Sequence, residues 1–235
     1  MSKKKISLCL VVFNEIKGCK KNLPLIRKND FNEIFAIDGG SKDGTIKYLK
    51  SKGIKVFQQT GPGLNNAYIS GDNRAKYENI IFFFPKGSLN PKILNKFIFY
   101  FNQNYEFIVA SRMMPKGSNE EDNKIFKFRK WSVIILSSLV SFFWRKESSK
   151  IGDILHGVKG IKKNHFKKMK INNFGFTIDL ETAIQAYKLN LRIKEFAVKE
   201  KKIINRISNF SFWHTGFFLI LFLLKEFRFF IKSKS

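Results

Sequence analysis

The sequence has few of the residues that mark several functional classes. There are two cysteines, Cys9 and Cys19. They form neither a metal-ligand spacing nor a disulfide framework, and Cys9 sits in an apolar run that reads as core. A reducing cytoplasm is the simpler setting. The three histidines, His156, His165 and His214, do not cluster, so they suggest no metal centre. There is no internal repeat and no low-complexity linker. The basic start at Lys3-Lys4-Lys5 is followed by a short apolar run that meets Asn14-Glu15 with no small-residue cleavage site, so it does not read as a signal peptide. Acids are scarce: 18 Asp and Glu stand against 44 Lys and Arg, a formal charge of +26. Such an excess implies an anionic partner: nucleic acid, an acidic membrane surface or a phosphorylated substrate. AT-rich codon usage is the alternative origin of much of it. Phe supplies 27 residues against 6 Tyr and 3 Trp. The Phe lie within apolar runs and do not alternate with Arg, and without a basic aromatic stripe nucleic acid is not an expected partner.

What is present points to an α/β protein. At 235 residues the chain can bury one sizeable α/β core or two small ones. Strands are predicted over residues 6–13, 33–38, 55–58, 79–84 and 107–112. Helices are predicted over 16–26, 45–51, 64–76 and 91–102, the last with Pro91 in its first turn. Strands alternating with helices imply a mostly parallel sheet with right-handed crossovers. The alternation weakens after Arg112. Residues 131–144, WSVIILSSLVSFFW, and 210–224, FSFWHTGFFLILFLL, are nearly all apolar. Each falls below the roughly 20 residues that span a bilayer. Each reads either as a buried core helix or as a helix lying in the membrane interface with Lys and Arg at its borders, and the charge favours the second. A spanning helix over 210–231 would have to carry Lys225, Glu226 and Arg228 and ranks third.

Two strand ends carry candidate chemistry. The second strand runs into IDGGSKDGT, residues 37–45. An acid, two glycines and a helix start make a ligand-binding turn at the edge of an open α/β sheet. Asp38 can accept hydrogen bonds from a base or ribose, Gly39 and Gly40 admit close backbone approach, and Asp43 is placed to N-cap the next helix. The first strand ends in VVFNE, residues 11–15, beside the same edge.

Asn14-Glu15 and Asp38-Gly39-Gly40-Ser41-Lys42-Asp43-Gly44-Thr45 resemble the N-terminal pattern of family 2 glycosyltransferases with the GT-A fold. These enzymes use nucleotide-diphospho sugars and invert the anomeric centre. The resemblance implies a Rossmann-like α/β domain over residues 1–210, the apolar helix 131–144 inserted, and a membrane-associating helix over 211–235. It implies that Asp38, Gly40 and Ser41, with the Val12, Asn14 and Glu15 edge, hold the nucleotide. Residues 61–75, with Gly63 and Asn66, resemble the Gly-rich turn and helix that line its pocket. The second half looks like the dolichyl- and polyprenyl-phosphate sugar transferases: ASRMMPKGS at 110–118, Arg129 in FRKWS, IGDILHGVKGIKK at 151–163 as an Asp-x-x-x-Gly-Phe-Arg strand, FGFTIDLETAIQAYKLNLRIKEFAV after it, and Arg206-Ile207-Ser208.

That subfamily implies transfer to polyprenyl phosphate, or another membrane-proximal glycan acceptor, at an anionic surface on the inner face of the membrane. Arg112, Arg129 and Arg206 are the candidates for holding phosphates, because arginine binds them bidentately. An ionised phosphate acceptor needs no strong base. A hydroxyl acceptor does, and Asp153, Asp179 and Glu181 are then the candidates, with at most one of the last two facing the site. The family's fourth strand ends in Asp-x-Asp, which holds Mg2+ or Mn2+ on the donor diphosphate. In this chain the slot reads Pro85-Lys86-Gly87. Three explanations stand open: Lys86 replaces the metal, the metal is held by Glu120, Glu121 or Asp153, or activity has been lost and a binding protein remains.

Overall fold

The structure, a computed structural model, describes residues 4–118, 122, 127–173, 175–201 and 212–232, the last segment from 216 onward with its side chains. A seven-stranded sheet runs through the molecule in the order β3-β2-β1-β4-β6-β5-β7. The strands are β1 Ile6–Val12, β2 Glu33–Asp38, β3 Lys55–Gln58, β4 Asn79–Phe83, β5 Phe107–Ser111, β6 Lys159–Lys162 and β7 Ile193–Ala197. All pair in parallel except β6, which is antiparallel to both β4 and β5. The sheet is therefore mostly parallel, as expected.

Strand residues alternate between two cores, as period-two geometry requires. Cys9, Val11, Ile80, Phe82, Phe107 and Val109 face one core. Leu8, Leu10, Ile81, Phe83, Ile108 and Ala110 face the other. The second core is covered by α1 Ile16–Asn22, α2 Thr45–Ser51 and α4 Leu94–Asn102. The first is covered by α3 Leu64–Arg74, α5 Phe128–Trp144, α6 Lys163–Lys168 and α7 Ile178–Lys188. The chain leaves β1 towards β2 and β3, then returns to β4 on the other side. That reversal opens a crevice at the C-terminal ends of β1 and β4, where open α/β sheets bind ligands.

Helix α5 and the last helix, α8 Phe212–Lys232, divide their apolar surface. Val133, Ser137, Val140, Ser141 and Trp144 of α5 are buried, while Trp131, Ile135 and Phe142 on other faces are exposed, Phe142 at 81%. Phe143 and Trp144 pack against Phe227 of α8 with ring centroids 4.5 and 4.9 Å apart. Lys188 of α7 reaches Glu226 of α8 at 2.5 Å. Phe217, Ile220, Leu221 and Leu224 of α8 remain exposed. Neither the core nor the interface reading of these segments is complete alone: one face of each helix is core and another is bare. No helix among the described residues is long and apolar enough to cross a membrane.

One buried acid on α3 sets a pH dependence. Asp72 is buried near Lys163 and Lys167 of α6, and its Oδ1 has no hydrogen-bond partner among the described residues. Burial outweighs the attraction of those lysines and pushes its pKa up to about 6. A folded pKa above the unfolded value of about 4 means stability is lost as pH rises from about 4 through 6. Asp72→Asn is expected to match the wild type near pH 4 and to exceed it at pH 8 by about 1–2 kcal/mol, as read by urea unfolding at the two pH values.

Candidate active site

The ends of β1 and β2 are tied together by their own turns. Val12 and Asp38 are register partners, and Gly39 N–H donates to the Val12 carbonyl at 2.9 Å. Asn14 takes a left-handed φ of 53°. Its N–H donates to Ser41 Oγ at 2.8 Å, and its Oδ1 accepts from Lys42 N–H at 2.8 Å. Glu15 N–H donates to Thr45 Oγ1 at 2.9 Å. Asp43 differs from the expectation: the N-cap position of α2 is Gly44, with φ 92°. Displaced one residue outward, Asp43 still accepts from Thr45 N–H at 3.0 Å and spends its other oxygen on Ile16 N–H, the start of α1, at 2.9 Å.

Asp38 is fully buried at this edge. Its Oδ2 accepts from Gly40 N–H (2.8 Å), Ser41 N–H (2.9 Å) and Gln58 Nε2 (3.2 Å). Its Oδ1 has no partner among the described residues. Buried polar atoms are nearly always paired, so this unpaired carboxylate oxygen is an exception at the sheet edge.

The start of α3 is bonded to the start of α7. Gly63 has φ 90°, and a Cβ there would lie 2.5 Å from the Gly175 carbonyl oxygen, so only glycine lets these segments meet. Asn65, absent from the expected set, donates to Asn172 O, Thr177 Oγ1 and Glu181 Oε2 and accepts from Ile178 N–H. Asn66 donates to the Pro62 carbonyl at 2.7 Å and to that of Asn173. Glu181 lies in this junction, with Asn172 N–H on its second oxygen at 2.9 Å, and burial pushes its pKa up. Asp179 faces elsewhere: it pairs with Lys159, which is fully buried on β6 and whose Nζ also meets Thr182 Oγ1 at 3.1 Å. Lys159 stands at the arginine position of the Asp-x-x-x-Gly-Phe-Arg pattern.

At the ends of β4, β5 and β7 a charged cluster forms. Arg112 makes a bidentate pair with the fully buried Asp153: Nε to Oδ2 at 2.8 Å and Nη2 to Oδ1 at 3.0 Å. Its backbone N–H donates to Asp153 Oδ2 at 2.9 Å. Its Nη1 donates to Glu200 Oε2 at 3.1 Å, and Ser88 Oγ donates to Glu200 Oε1 at 3.0 Å. Glu195 fixes Asp153 from behind by accepting from its N–H at 2.8 Å. Burial raises the Asp153 and Glu200 pKa values, but the Arg112 guanidinium outweighs it and holds both carboxyls below their usual range. His156 is buried beside them, its pKa lowered chiefly by burial and then by Arg112.

Lys86 is half-buried at the same edge, its Nζ 4.9 Å from the Phe84 ring centroid, and its charge helps to lower Glu200. Its loop is pinned by α1. Gly87 N–H donates to Asn22 Oδ1 at 2.7 Å, and Asn22 Nδ2 donates to the Leu89 carbonyl at 3.0 Å. A Cβ on Gly18 would lie 2.2 Å from the Pro85 carbonyl oxygen. Arg129 is exposed on the first turn of α5. Arg206, Glu120 and Glu121 lie outside the described residues.

A model of the family described as Glycosyl transferase family 2 matches residues 7–170. The chain belongs to this family. It is 23% identical over 233 residues to the uncharacterized protein MJ1222 of Methanocaldococcus jannaschii, covering 96% of this chain and 93% of that protein. It is 21% identical over 191 residues to glycosyltransferase AglJ of Haloferax volcanii, covering 79% of this chain and 60% of AglJ. Its fold is similar to glucosyl-3-phosphoglycerate synthase from Mycobacterium tuberculosis in complex with Mn2+, UDP and phosphoglyceric acid, with a TM-score of 0.68 at 14% identity over 94% of this chain and 78% of that one. The same enzyme with Mn2+, UDP-glucose and phosphoglyceric acid gives 0.63 at 15% identity, over 87% and 73%. This chain is a glycosyltransferase of the GT-A, Rossmann-like fold.

Among the described residues the donor set does not fit the divalent ion that those structures hold. The expected acid pair is Pro85-Lys86-Gly87, the oxygens of Asp153 and Glu200 are engaged by Arg112 and Ser88, and no group of three His, Cys, Asp or Glu among the described residues could hold a metal. Because Asp153 is buried, removing its partner leaves an uncompensated charge. Arg112→Ala is expected to destabilise the fold by about 3–5 kcal/mol in urea unfolding at pH 7. The wild-type advantage should vanish as pH falls below about 4, through the depressed folded pKa values of the two carboxyls.

Proposed function

We propose that the protein moves a sugar from a nucleotide-diphospho sugar to a phosphate-bearing acceptor at the membrane, polyprenyl phosphate foremost, with a membrane-proximal glycan as the other acceptor. The observation that carries the donor half is the buried, orphaned Oδ1 of Asp38 between the Asn14 and Gly40–Ser41 turns. Asp38 accepts from the base or ribose. Val12, Asn14, Glu15, Gly40 and Ser41 form the floor of the site, and Gly63 and Asn66 its side wall. Arg129 and Arg206 are the arginines left for the phosphates, because every guanidinium nitrogen of Arg112 is bonded to Asp153 or Glu200.

The acceptor half rests on which bases are free to act. Both oxygens of Asp153 are held by Arg112, and Glu181 is bonded into the junction of α3 and α7. Neither suits deprotonation of a hydroxyl. A phosphate acceptor is already ionised. Its oxygen attacks the anomeric carbon, the bond to the donor's diphosphate breaks on the opposite face, and the electron pair leaves on the diphosphate oxygen. The protein then supplies orientation and charge stabilisation. The synthase of similar fold, crystallised with phosphoglyceric acid, also meets a phosphate-bearing compound.

The membrane half rests on α5 and α8. Their bare Trp131, Ile135, Phe142, Ile220 and Leu221 are flanked by Arg129, Lys130, Arg145, Lys146, Lys225 and Arg228. Such helices lie in an anionic interface. In this reading residues 1–210 are the transferase domain, residues 211–235 complete the membrane seat, and the protein is peripheral on the cytoplasmic face. A second reading, a non-catalytic homologue that binds a nucleotide-sugar or a partner, is favoured by one observation, the replacement of the acid pair by Pro85-Lys86-Gly87.

Transfer from a panel of labelled nucleotide-sugars to polyprenyl phosphate distinguishes the two readings: nucleotide binding without turnover supports the second. Asp38→Ala is expected to weaken donor binding about 10–100-fold by calorimetry. In flotation with anionic vesicles at low salt, Ile135→Lys and Phe142→Lys are each expected to lower the membrane-bound to free ratio about tenfold or more.

A further inference from the structure

A diphosphate leaving group needs positive charge beside it, and the chain has built its own at the end of β4. Asp153 and Glu200 are the carboxylates at this edge. Arg112 binds both, by two nitrogens to Asp153 and by its third to Glu200, and Lys86 stands on the loop whose Ser88 hydroxyl donates to Glu200. A divalent ion between two carboxylates leaves no net charge. Two unit cations beside two carboxylates leave the same sum. The second arrangement needs no ion from solution.

The geometry around Lys86 is that of a fixed group. Asn22 and Gly18 of α1 pin the backbone of its loop from one side. Ser88 and the N–H of Lys201, which donates to the Ser88 carbonyl at 2.9 Å, pin it from the other through Glu200 and its neighbour. The Phe84 ring lies under the ammonium. Leu10 of β1 is the register partner of Phe83, so this loop starts beside the β1 end that leads to Asn14 and the Asp38 turn. Glu200 joins the parts: one oxygen on Arg112, the other on the hydroxyl of Ser88, two residues beyond Lys86.

Resting on the donor reading above, we infer that this protein holds its nucleoside diphosphate without a divalent metal: Lys86 is the phosphate-binding cation, and Glu200 is the positioning residue that links it to Arg112. As the bond from the anomeric carbon to the diphosphate oxygen breaks, that oxygen takes the electron pair and the Lys86 ammonium stabilises the new charge by a hydrogen bond. No proton or electron need be supplied from elsewhere.

The test is calorimetric binding of UDP, GDP, ADP, CDP and dTDP to the full chain, with EDTA and then with Mn2+. At least one diphosphate is expected to bind with the same affinity in both conditions. Lys86→Ala should weaken it about 10–100-fold while leaving the matching nucleoside monophosphate within about threefold. Lys86→Arg should restore part of the loss. Glu200→Gln should also lower diphosphate over monophosphate affinity, which a purely structural role would not do, with thermal melting reporting that each variant is folded. Binding that requires Mn2+, or a diphosphate affinity unchanged in Lys86→Ala, overturns the inference and leaves the donor reading standing. Absence of diphosphate binding in every condition overturns both.

Discussion

The Arg112 guanidinium lies between two carboxylates from distant parts of the chain, 41 and 88 residues away in sequence. Taking such charges out of water costs several kcal/mol each, so the arrangement persists only where every partner is in place. The dependence runs outward in both directions. Behind Asp153, Glu195 of β7 fixes the amides of Gly152 and Asp153. Beyond Glu200, Ser88 and Asn22 fix the loop that follows β4. The ends of three strands, the segment that leads into β6 and the first helix thus share one electrostatic frame. What it contributes is geometry more than net stability.

Much of the fold was legible because strands buried on both faces read as apolar runs. The boundaries of β2, β3 and α2 agree with the expectation to the residue, and β1, β4 and β5 end one residue early. The helix expected over 16–26 splits into α1 and a short 3-10 turn, Leu23–Leu25, because Pro24 cannot continue the hydrogen-bond ladder. The direction of β6 was not legible. Residues 151–163 read as a strand, but alternation upstream says nothing of how a later strand inserts, and its partners lie some 50 to 80 residues away.

The candidate site divides along the same line. Its local half, the Asn14 and Asp38 turns, is written in two short stretches, residues 11–15 and 37–45, whose hydrogen bonds are mostly to one another or to the strand end beside them. The other half is assembled over long range. Glu200 sits in a Lys-Glu-Lys-Lys run that looks like a solvated surface, and only the fold brings it to Arg112. Lys159 hides between Val158 and Gly160 in a strand, with nothing nearby to announce that Asp179 and Thr182 of α7 meet its ammonium. Asn65 reads as an ordinary first-turn polar residue until α7 is laid against α3.

The antiparallel β6 has a consequence for how the molecule is made. It enters the sheet between β4 and β5, two strands completed at least 48 residues earlier in the chain. During synthesis β4 can pair at once with β1, but its other edge waits for β6, and β5 waits for both β6 and β7. These apolar strand edges wait open in the meantime, and such edges recruit other chains. Sheet closure is therefore a late, non-local event, the kind that folds slowly. A fragment ending after β5 would hold the Asp38 turn entire and still lack the strand that joins the two halves of its sheet.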